Sequence, residues 1–340
     1  MMSARFLTVV LERAFNMRDG FGREIDYMRI SVIDSCNLNC YYCNPCDNNE
    51  HCHALNILSV KEVLCIVRAA TRLGIKHFRL TGGEPLLHPQ LDEMVLQIKK
   101  IPGVSSVSLT TNAVLLAQHA KWLKEAGIDS INVSLDTIDA SEYERITKKP
   151  LLEEVKHGIN AAIECGIRVK INVVLTPQTD VVALTRYVAK KGTDIRFIEM
   201  MPVGEGHTNG VEPYKKVIGT LSKLYGEPCR INTEKTKEIN SENDKRKIPD
   251  NGPAEYYIFP ELGIRVGLIQ AIHGKFCDTC NRIRVTADGR LMPCLGSSVT
   301  MDLVPDSWDF ADDVEKDFAI VRALRAAIKA KPRCHNFNDN

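Results

Sequence analysis

Residues 27–43 read Tyr27-Met-Arg-Ile-Ser-Val-Ile-Asp-Ser-Cys-Asn-Leu-Asn-Cys-Tyr-Tyr-Cys43. The first seven residues form an apolar, strand-like run, and cysteines follow at positions 36, 40 and 43. Three thiolates on one short loop can hold three irons of a four-iron cluster, for which four cysteines are usual. The fourth iron would then remain open for a ligand that the protein does not supply.

The open iron indicates which chemistry such a loop can support. S-adenosylmethionine can chelate that iron through its amino and carboxylate groups, and an electron from the cluster can then split its sulfonium to give a carbon radical. A zinc knuckle is the alternative interpretation. Structural zinc prefers four ligands arranged as closely spaced cysteine pairs, so the spacing of Cys36, Cys40 and Cys43 favours iron.

Composition narrows the class of protein. The chain has 340 residues, a hydrophobic content of 44% and a formal net charge of +1, which gives no sign of bulk binding to nucleic acid or to an anionic membrane. It begins without a signal-peptide pattern, and it has no apolar run long enough to cross a bilayer. With 12 cysteines, it is expected in a reducing, cytoplasmic compartment, where clustered cysteines indicate metal or redox chemistry rather than disulfides.

Strand-like and helix-like segments alternate from residue 27 to residue 200. Glycines at 74, 103, 127 and 166 end four of the helical segments just before the next strand. Six strand–helix units predict an α/β fold, namely an incomplete (β/α)6 barrel of the TIM type, with a C-terminal iron–sulfur extension that closes its open side. We expect an N-terminal extension over 1–22, the barrel over 23–225, and the C-terminal region over 226–340, in which 232–252 is a polar surface loop.

The predicted strands are not apolar on both faces, as fully covered parallel strands would be. In the strand that ends near residue 174, Val169, Ile171 and Val173 alternate with Arg168, Lys170 and Asn172. In the first strand, Arg29 likewise lies opposite the apolar face. We infer that helices cover the outside of the barrel and that its interior is a polar substrate chamber.

A second set of three cysteines lies far along the chain, at Cys277, Cys280 and Cys294. Cys334 is a candidate fourth member, but it lies 40 residues further on, in a polar tail. Zinc remains an alternative for this set, whereas a second cluster with one open iron fits better if the first set holds iron. Arg282 and Arg284 share one strand face and suit an anionic substrate, although a solvated edge strand is the simpler interpretation of this pair alone.

Other candidate groups fall at the carboxyl ends of the predicted strands. The turn Thr81-Gly-Gly-Glu-Pro85 would let backbone approach a ligand closely, because glycine carries no Cβ. Together with the first cysteine loop, Thr110–Asn112, Ser134 and Met201, this turn is expected to form one rim. Cys46 and Cys52 follow the first motif, and we interpret them as incidental loop residues.

The chain resembles the radical S-adenosylmethionine superfamily, and most closely its GTP 3′,8-cyclase family of molybdenum cofactor biosynthesis. The motifs that carry the resemblance include the first cysteine set, Arg79-Leu-Thr-Gly-Gly-Glu-Pro-Leu-Leu87, Phe276-Cys-Asp-Thr-Cys-Asn-Arg-Ile-Arg284 and Asp288-Gly-Arg-Leu-Met-Pro-Cys294. The first cysteine motif is specific for the superfamily, and the second cysteine block narrows the resemblance to this family.

The resemblance implies two 4Fe–4S clusters, S-adenosylmethionine and a role for each matched residue. Six cysteines would ligate the clusters: Cys36, Cys40 and Cys43, and Cys277, Cys280 and Cys294. Tyr42, Gly83, Ser134 and Met201 would contact S-adenosylmethionine. GTP would be bound by Arg29, Arg79, Thr110, Lys170, Arg282, Ile283 and Arg284, with Arg29, Arg282 and Arg284 taking part in catalysis. The implied reaction removes hydrogen from the GTP ribose with a 5′-deoxyadenosyl radical and then closes a ring from C3′ onto C8 of guanine.

The resemblance also implies GTP as substrate, a flavodoxin or ferredoxin type of reductant protein, and a homodimer. One departure concerns the C-terminus, where the family has Gly-Gly and this chain reads Asn338-Asp-Asn340. A diverged radical enzyme that acts on another nucleotide or on a peptide is therefore the alternative. A zinc-stabilised binding protein is the alternative without enzymatic activity.

Overall fold

The strands of this protein form one sheet. The computed structural model describes residues 17–43, 56–207, 211–231, 252–297, 299–303 and 313–337. Within these ranges the sheet has 12 strands, which are β1 (Tyr27–Ser31), β2 (His77–Thr81), β3 (Ser106–Thr111), β4 (Ser130–Ser134), β5 (Val169–Val174), β6 (Asp194–Ile198), β7 (Cys229–Ile231), β8 (Glu255–Ile258), β9 (Arg265–Ile269), β10 (Arg282–Val285), β11 (Arg290–Met292) and β12 (Met301–Asp302).

Helices connect the strands of the first half of the chain and return at its end. They are α1 (Val60–Arg72), α2 (Leu91–Lys99), α3 (Leu116–Glu125), α4 (Ala140–Thr147), α5 (Leu152–Glu164), α6 (Val181–Lys190), α7 (Gly219–Tyr225) and α8 (Asp313–Lys329). A π-helical turn, Tyr214–Ile218, precedes α7, and short 3-10 turns cover Pro85–Leu87 and Cys277–Thr279. The sequence pattern predicted α1 with the bounds that the structure has.

The strand order is β12-β11-β10-β1-β2-β3-β4-β5-β6-β9-β8-β7. The eight central strands, from β10 to β9, are all parallel, whereas antiparallel strands flank them at both ends. Within the described ranges the two outer strands, β12 and β7, are not hydrogen-bonded to each other. The expectation of an α/β fold with an incomplete parallel barrel is therefore confirmed.

The C-terminal region joins the sheet at both of its edges. β10 pairs with β1, and β9 pairs with β6. Because β10 lies between β1 and β11, the interpretation of Arg282 and Arg284 as residues of a solvated edge strand is wrong. The division of the chain at residues 22 and 225 remains a prediction.

One face of the parallel strands is apolar and covered by helices. Met28, Ile30, Phe78 and Leu80 are fully buried, as are the matching positions of the neighbouring strands. Helix α1 shows why the covering layer forms, because Ser59 and Glu62 make a capping box at its N-terminus and its apolar stripe faces the core. The side chains at the alternate positions of these strands therefore lie on the opposite face of the sheet.

Several predictions fall outside the described residues. They concern most of the N-terminal extension, Cys46, Cys52, the polar stretch 232–251 and the last three residues. In the part of the chain that is described, no helix is both long and apolar enough to cross a membrane.

Candidate active site

A cavity of about 570 Å³ lies along the polar face of the parallel sheet. Each of the strands β1 to β6 contributes at least two residues to its lining, and β9 and β10 add one residue each. Its charged and polar lining includes Arg29, Arg79, Thr110, Asn132, Ser134, Asp136, Arg168, Lys170, Asn172, Arg196 and Arg282. The predicted polar chamber is therefore present, and Arg29 and Lys170 face it as their strand periodicity indicated.

Arg29 and Arg79 line one side of the cavity, and Arg284 continues their row onto the adjacent strand β10. Arg29 on β1 is the register partner of Arg284 on β10 and of Arg79 on β2. Burial and the adjacent Arg284 lower the pKa of Arg29 well below its usual value, and burial together with Arg282 lowers the pKa of Arg284 to about 10. Buried cations this close together are stabilised by an anionic ligand.

The arginine row has a hydrogen-bond donor that remains available for such a ligand. Arg79 donates to the hydroxyl groups of Tyr27 and Thr110, the latter at 3.3 Å. The buried Nε of Arg29 has no hydrogen-bond partner among the residues that the structure describes. Because a buried donor is rarely left unsatisfied, the row is suited to phosphate oxygens.

The opposite side of the cavity combines a lysine with two amides. Lys170 on β5 is the register partner of Asn132 on β4, and Asn172 is the partner of Ser134. The buried Oδ1 atoms of Asn132 and Asn172 accept no hydrogen bond from any described residue. These acceptors match the N–H and O–H donors of a base and a ribose. Sequence reasoning assigned no role to Asn132 or Asn172, although strand periodicity already placed Asn172 on the face of Lys170.

The first cysteine loop follows β1 and is attached to the end of α4. The backbone amides of Asn39 and Tyr41 donate to the carbonyls of Thr147 and Ile146, at 3.0 and 3.1 Å. Because an Asp139 side chain caps the N-terminus of α4, this helix has a defined start and offers a fixed C-terminal end to the loop. Three thiols are thereby held on a short, anchored segment.

The glycine turn after β2 lies directly against the backbone that leads into the first cysteine loop. A Cβ on Gly83 would lie 2.2 Å from the carbonyl oxygen of Ser35, and one on Gly82 would lie 2.6 Å from that of Ile33. The Gly83 amide donates to the Ile33 carbonyl at 2.8 Å. These glycines therefore allow β2 to hold the segment directly before Cys36, a contact that the sequence interpretation did not foresee.

Glu84 links this turn to the first cysteine. Its buried carboxylate accepts hydrogen bonds from the amide of Leu86, the hydroxyl of Thr111 and the amide of Asn112, at 3.0, 2.7 and 2.7 Å. The side-chain amide of Asn112 in turn lies 3.8 Å from the sulfur of Cys36. Burial raises the pKa of Glu84, and the three donors oppose that shift. Glu84 thus orients a residue that touches the cysteine loop.

Tyr42 and Met201 lie at the same rim as the cysteine loop. The Tyr42 hydroxyl donates to Asp136, whose other oxygen accepts from the Val174 amide at 2.7 Å. Burial raises the pKa of Asp136 to about 6. The chain after Met201 packs on the loop through Gly204, where an added Cβ would lie 2.9 Å from the Cys43 carbonyl oxygen. Tyr42 and the chain after Met201 therefore meet at the cysteine loop, as expected for part of the predicted rim.

The thiols of the first set suit a metal cluster. Burial, with the negative charges of Asp136, Cys43 and Cys36, raises the pKa of Cys40 to about 12. Thiolates that repel one another resist ionisation together, and bound metal ions remove that penalty by taking the place of the protons. Cys36 and Cys43 are exposed, so the cluster position is open towards solvent and towards a further ligand.

The second cysteine set lies at the other end of the cavity. Cys277 and Cys280 precede β10, which runs parallel to β1, whereas the first set follows β1. A smaller pocket of about 190 Å³ next to Cys280 shares Arg282 with the large cavity. Arg282 donates to the Cys280 sulfur at 3.8 Å. Although burial opposes it, the charges of Arg282 and Lys331 lower the pKa of Cys280 to about 7.

Cys334 does not lie in a loose tail. Its sulfur is 3.3 Å from the sulfur of Cys277, and His335 is close enough to complete a group of three metal-binding side chains. The sequence contains no local signal for this contact, because 57 residues separate the two cysteines.

The structure limits one predicted ligand contact to the backbone. Ile283 was expected to contact the substrate, but its side chain is fully buried in the apolar core on the face of β10 opposite Arg282 and Arg284. Only its backbone could reach a ligand in the cavity. Strand periodicity alone already predicts that the Ile283 side chain lies on the apolar face of β10.

Comparison with known proteins agrees with this architecture. The model of the Radical SAM superfamily matches residues 30–183, and the model described as Molybdenum Cofactor Synthesis C matches residues 193–337. The first match contains the first cysteine set and the second contains Cys277, Cys280 and Cys294. The fold and the site thus define a radical S-adenosylmethionine protein, a class that binds this cofactor and a 4Fe–4S cluster.

Full-length relatives place the chain within that class. It is 35% identical over 324 residues to a GTP 3′,8-cyclase of Clostridium perfringens (strain SM101 / Type A), covering 94% of this chain and 95% of the relative. It is 36% identical over 324 residues to a GTP 3′,8-cyclase of Pelotomaculum thermopropionicum, with the same coverage. The chain belongs to the GTP 3′,8-cyclase family.

Solved structures share the fold at low sequence identity. Streptococcus suis SuiB is similar with a TM-score of 0.58 and 16% identity, over 89% of this chain and 68% of that one. The anSMEcpe structure with bound AdoMet gives a TM-score of 0.54 and 17% identity, over 89% of this chain and 84% of that one. These likenesses concern the fold alone.

Proposed function

We propose that this protein converts GTP to 3′,8-cyclo-7,8-dihydro-GTP, the first step of molybdenum cofactor biosynthesis. One observation carries the proposal: a cavity lined by arginines, a lysine and amides includes Asp136, the partner of Tyr42 on the first cysteine loop, and shares Arg282 with a smaller pocket beside Cys280 of the second set. A substrate in this cavity would have the radical-generating end on one side and a second metal-binding end on the other. The family assignment supplies the name of the reaction.

The first end of the cavity would hold the cofactor. Cys36, Cys40 and Cys43 would ligate one cluster, which leaves one iron for S-adenosylmethionine. Cluster and S-adenosylmethionine together would supply the one-electron chemistry that removes a hydrogen atom from the ribose. Ser134 lines the cavity at this end, and Tyr42, Gly83 and Met201 lie at the rim, where we expect them to contact the cofactor.

The substrate would lie between the two ends. We assign the triphosphate to the row of Arg29, Arg79 and Arg284, because burial and neighbouring arginines lower the pKa of Arg29 and Arg284 and because the buried Nε of Arg29 has no hydrogen-bond partner among the described residues. Lys170 and Thr110 would bind further oxygens of the substrate. The role of these residues is to fix the ribose close to the radical source and to exclude water, which is how a protein contributes to such chemistry.

The second end would hold a second 4Fe–4S cluster on Cys277, Cys280 and Cys294. Arg282 supports this assignment because it touches Cys280 and lines both the small pocket and the large cavity. Arg282 would therefore lie between a purine near this cluster and the row of Arg29, Arg79 and Arg284. We further propose a flavodoxin or ferredoxin type of reductant protein, a cytoplasmic location and a homodimer, which follow from the family resemblance alone.

The test is an anaerobic assay with reconstituted, reduced protein, GTP and S-adenosylmethionine. We expect equimolar 5′-deoxyadenosine and a product with the mass of GTP whose C3′ is bonded to C8. Formation of 5′-deoxyadenosine without any change in GTP would contradict the proposal. A panel of deuterated nucleotides and peptides, tested for deuterium transfer into 5′-deoxyadenosine, would then identify the alternative substrate.

A matched pair of variants distinguishes loss of the first cluster from general damage to the fold. Cys36→Ala should abolish 5′-deoxyadenosine formation. Cys165→Ala should not, because Cys165 lies at the end of α5 as a partly buried packing residue.

A further inference from the structure

The C-terminal segment 331–337 is clamped onto both parts of the second cysteine set. Lys331, which is buried, donates to the carbonyls of Arg282 and Pro293, at 2.7 and 2.8 Å. Its ammonium group thus bridges the strand after Cys280 and the residue before Cys294. This contact places the start of the segment directly over the cysteine set.

Arg23 fastens the same segment from the other side. Its guanidinium donates to the carbonyls of Cys277, Pro332 and Arg333, at 2.7, 2.6 and 3.0 Å. Asp19 is buried and pairs with Arg23, which holds the guanidinium in place. The Arg23 side chain thus ties the backbone of Cys277 to the backbone just before Cys334. Through these hydrogen bonds it holds the two cysteines next to each other.

The residues after Cys334 also pack tightly against the second cysteine set. A Cβ added to Gly296, two residues after Cys294, would lie 2.8 Å from the Cβ of His335 and 3.0 Å from the ring of Phe337. The His335 ring bonds to the Ala271 carbonyl through Nε2 at 2.8 Å, and its Nδ1 accepts from the Phe337 amide at 3.3 Å. Both ring nitrogens of His335 have partners, whereas the sulfur of Cys334 faces the sulfur of Cys277.

We propose that Cys334 is the fourth protein ligand of the second cluster in the substrate-free enzyme, so that four thiolates, from Cys277, Cys280, Cys294 and Cys334, surround that site. The proposal rests on the proposed second cluster. Four thiolates are the usual complement of a 4Fe–4S cluster, and Cys334 would lose its proton on binding iron. A guanine could then reach the fourth iron only after Cys334 has left it.

The proposal is tested by removing Cys277, which leaves Cys280, Cys294 and Cys334 as three ligands. Three cysteines are the number that the first set uses, so Cys277→Ala should still carry about eight irons per chain, the sum of two four-iron clusters. The double variant C277A/C334A should fall to about four irons. C277A/C229A is the matched control, since Cys229 is exposed on β7, and it should keep the iron of C277A.

The outcomes separate this proposal from the proposed function. If the single variant C277A already loses about four irons, and C277A/C334A loses no more, Cys334 is not a ligand. The proposed second cluster on Cys277, Cys280 and Cys294 would still stand. Wild-type protein with about four irons, with or without zinc, would instead overturn the second cluster itself.

A second measurement does not depend on folding of the variants. In anaerobic wild-type protein with both clusters, iodoacetamide should label Cys229 readily and leave Cys334 protected. Removal of the iron by a chelator should make Cys334 reactive. Labelling of Cys334 at the rate of Cys229 while the iron content is complete would also overturn the proposal.

Discussion

Arg29 on β1 lies in register with Arg284 on β10, so two buried guanidinium groups are neighbours on adjacent parallel strands. Burial and this proximity disfavour the charged form of both. Parallel pairing brings together residues that are 255 positions apart in the chain. Such an arrangement is costly in the free protein and becomes favourable when phosphate groups enter, which is the behaviour expected of a binding site that is built before its ligand arrives.

The first prediction concerns this arginine pair. Arg29→Met should weaken GTP binding by about 10-fold to 100-fold, the value of one or two charge-assisted hydrogen bonds. In the absence of nucleotide the same variant should unfold at an equal or higher urea concentration, because a buried repulsion is removed. Isothermal titration and urea unfolding measure the two effects. Arg145→Met is the control, because Arg145 is exposed and pairs with Glu142 at 2.7 Å; equal GTP affinity in both variants would count against the site.

The second prediction concerns the close approach at Gly83. Gly83→Ala introduces a Cβ 2.2 Å from the Ser35 carbonyl oxygen, which must displace the segment that leads into Cys36. We expect a loss of about 1–3 kcal/mol in the free energy of unfolding, as for other overpacked positions, together with a lower iron content. In Gly219→Ala the new Cβ has no heavy atom within 4 Å and the backbone is helical, so this control should keep its iron content and should not lose unfolding free energy. Full iron content in Gly83→Ala would show that the loop tolerates displacement.

The third prediction concerns the carboxylate of Glu84. Glu84→Gln places an amide N–H2 group among three donors, from Leu86, Thr111 and Asn112. At least one donor then loses its acceptor, at a cost of about 1–3 kcal/mol. Because Asn112 also touches Cys36, cluster retention during gel filtration should fall as well. The control Glu125→Gln changes an exposed residue at the end of α3, and equal behaviour of the two variants would refute the link.

The fourth prediction concerns pH. Burial raises the pKa of Asp136 to about 6 in the folded chain, whereas an unfolded Asp titrates near about 3.9. The stability that Asp136 contributes is therefore complete below about pH 4 and is lost as the pH rises through about 6, because the native state binds the extra proton in that window. Compared with Asp136→Asn, metal-free wild-type protein should lose up to about 3 kcal/mol of unfolding free energy over this range.

The measurement for Asp136 is urea unfolding of reduced, metal-free protein at several pH values between 4 and 7. Glu153→Gln, which changes an exposed side chain at the start of α5, is the matched control. A difference between wild type and Asp136→Asn that stays constant over the whole range would contradict the prediction.

Much of the site could be predicted from local pattern. Strand periodicity placed Arg29 and Lys170 on the polar face because successive side chains of a strand alternate between two environments. The same rule places the side chain of Ile283 on the apolar face, so that only its backbone is available to the site. The glycine at 83 indicated a close approach, but the sequence could not tell that the Ser35 backbone is a group that it approaches.

The sequence by itself determined the chemistry of this protein: the two cysteine sets, the alternation of strands and helices, and the polar face of each strand all follow from residue type and spacing over a few positions. The tertiary structure decided which of these groups meet. Pairing of β10 with β1 aligns Arg284 with Arg29, and the contacts of Arg23 and Lys331 bring Cys334 to Cys277. These contacts join residues far apart in the chain, and their stability depends on burial and on partners that no local pattern encodes.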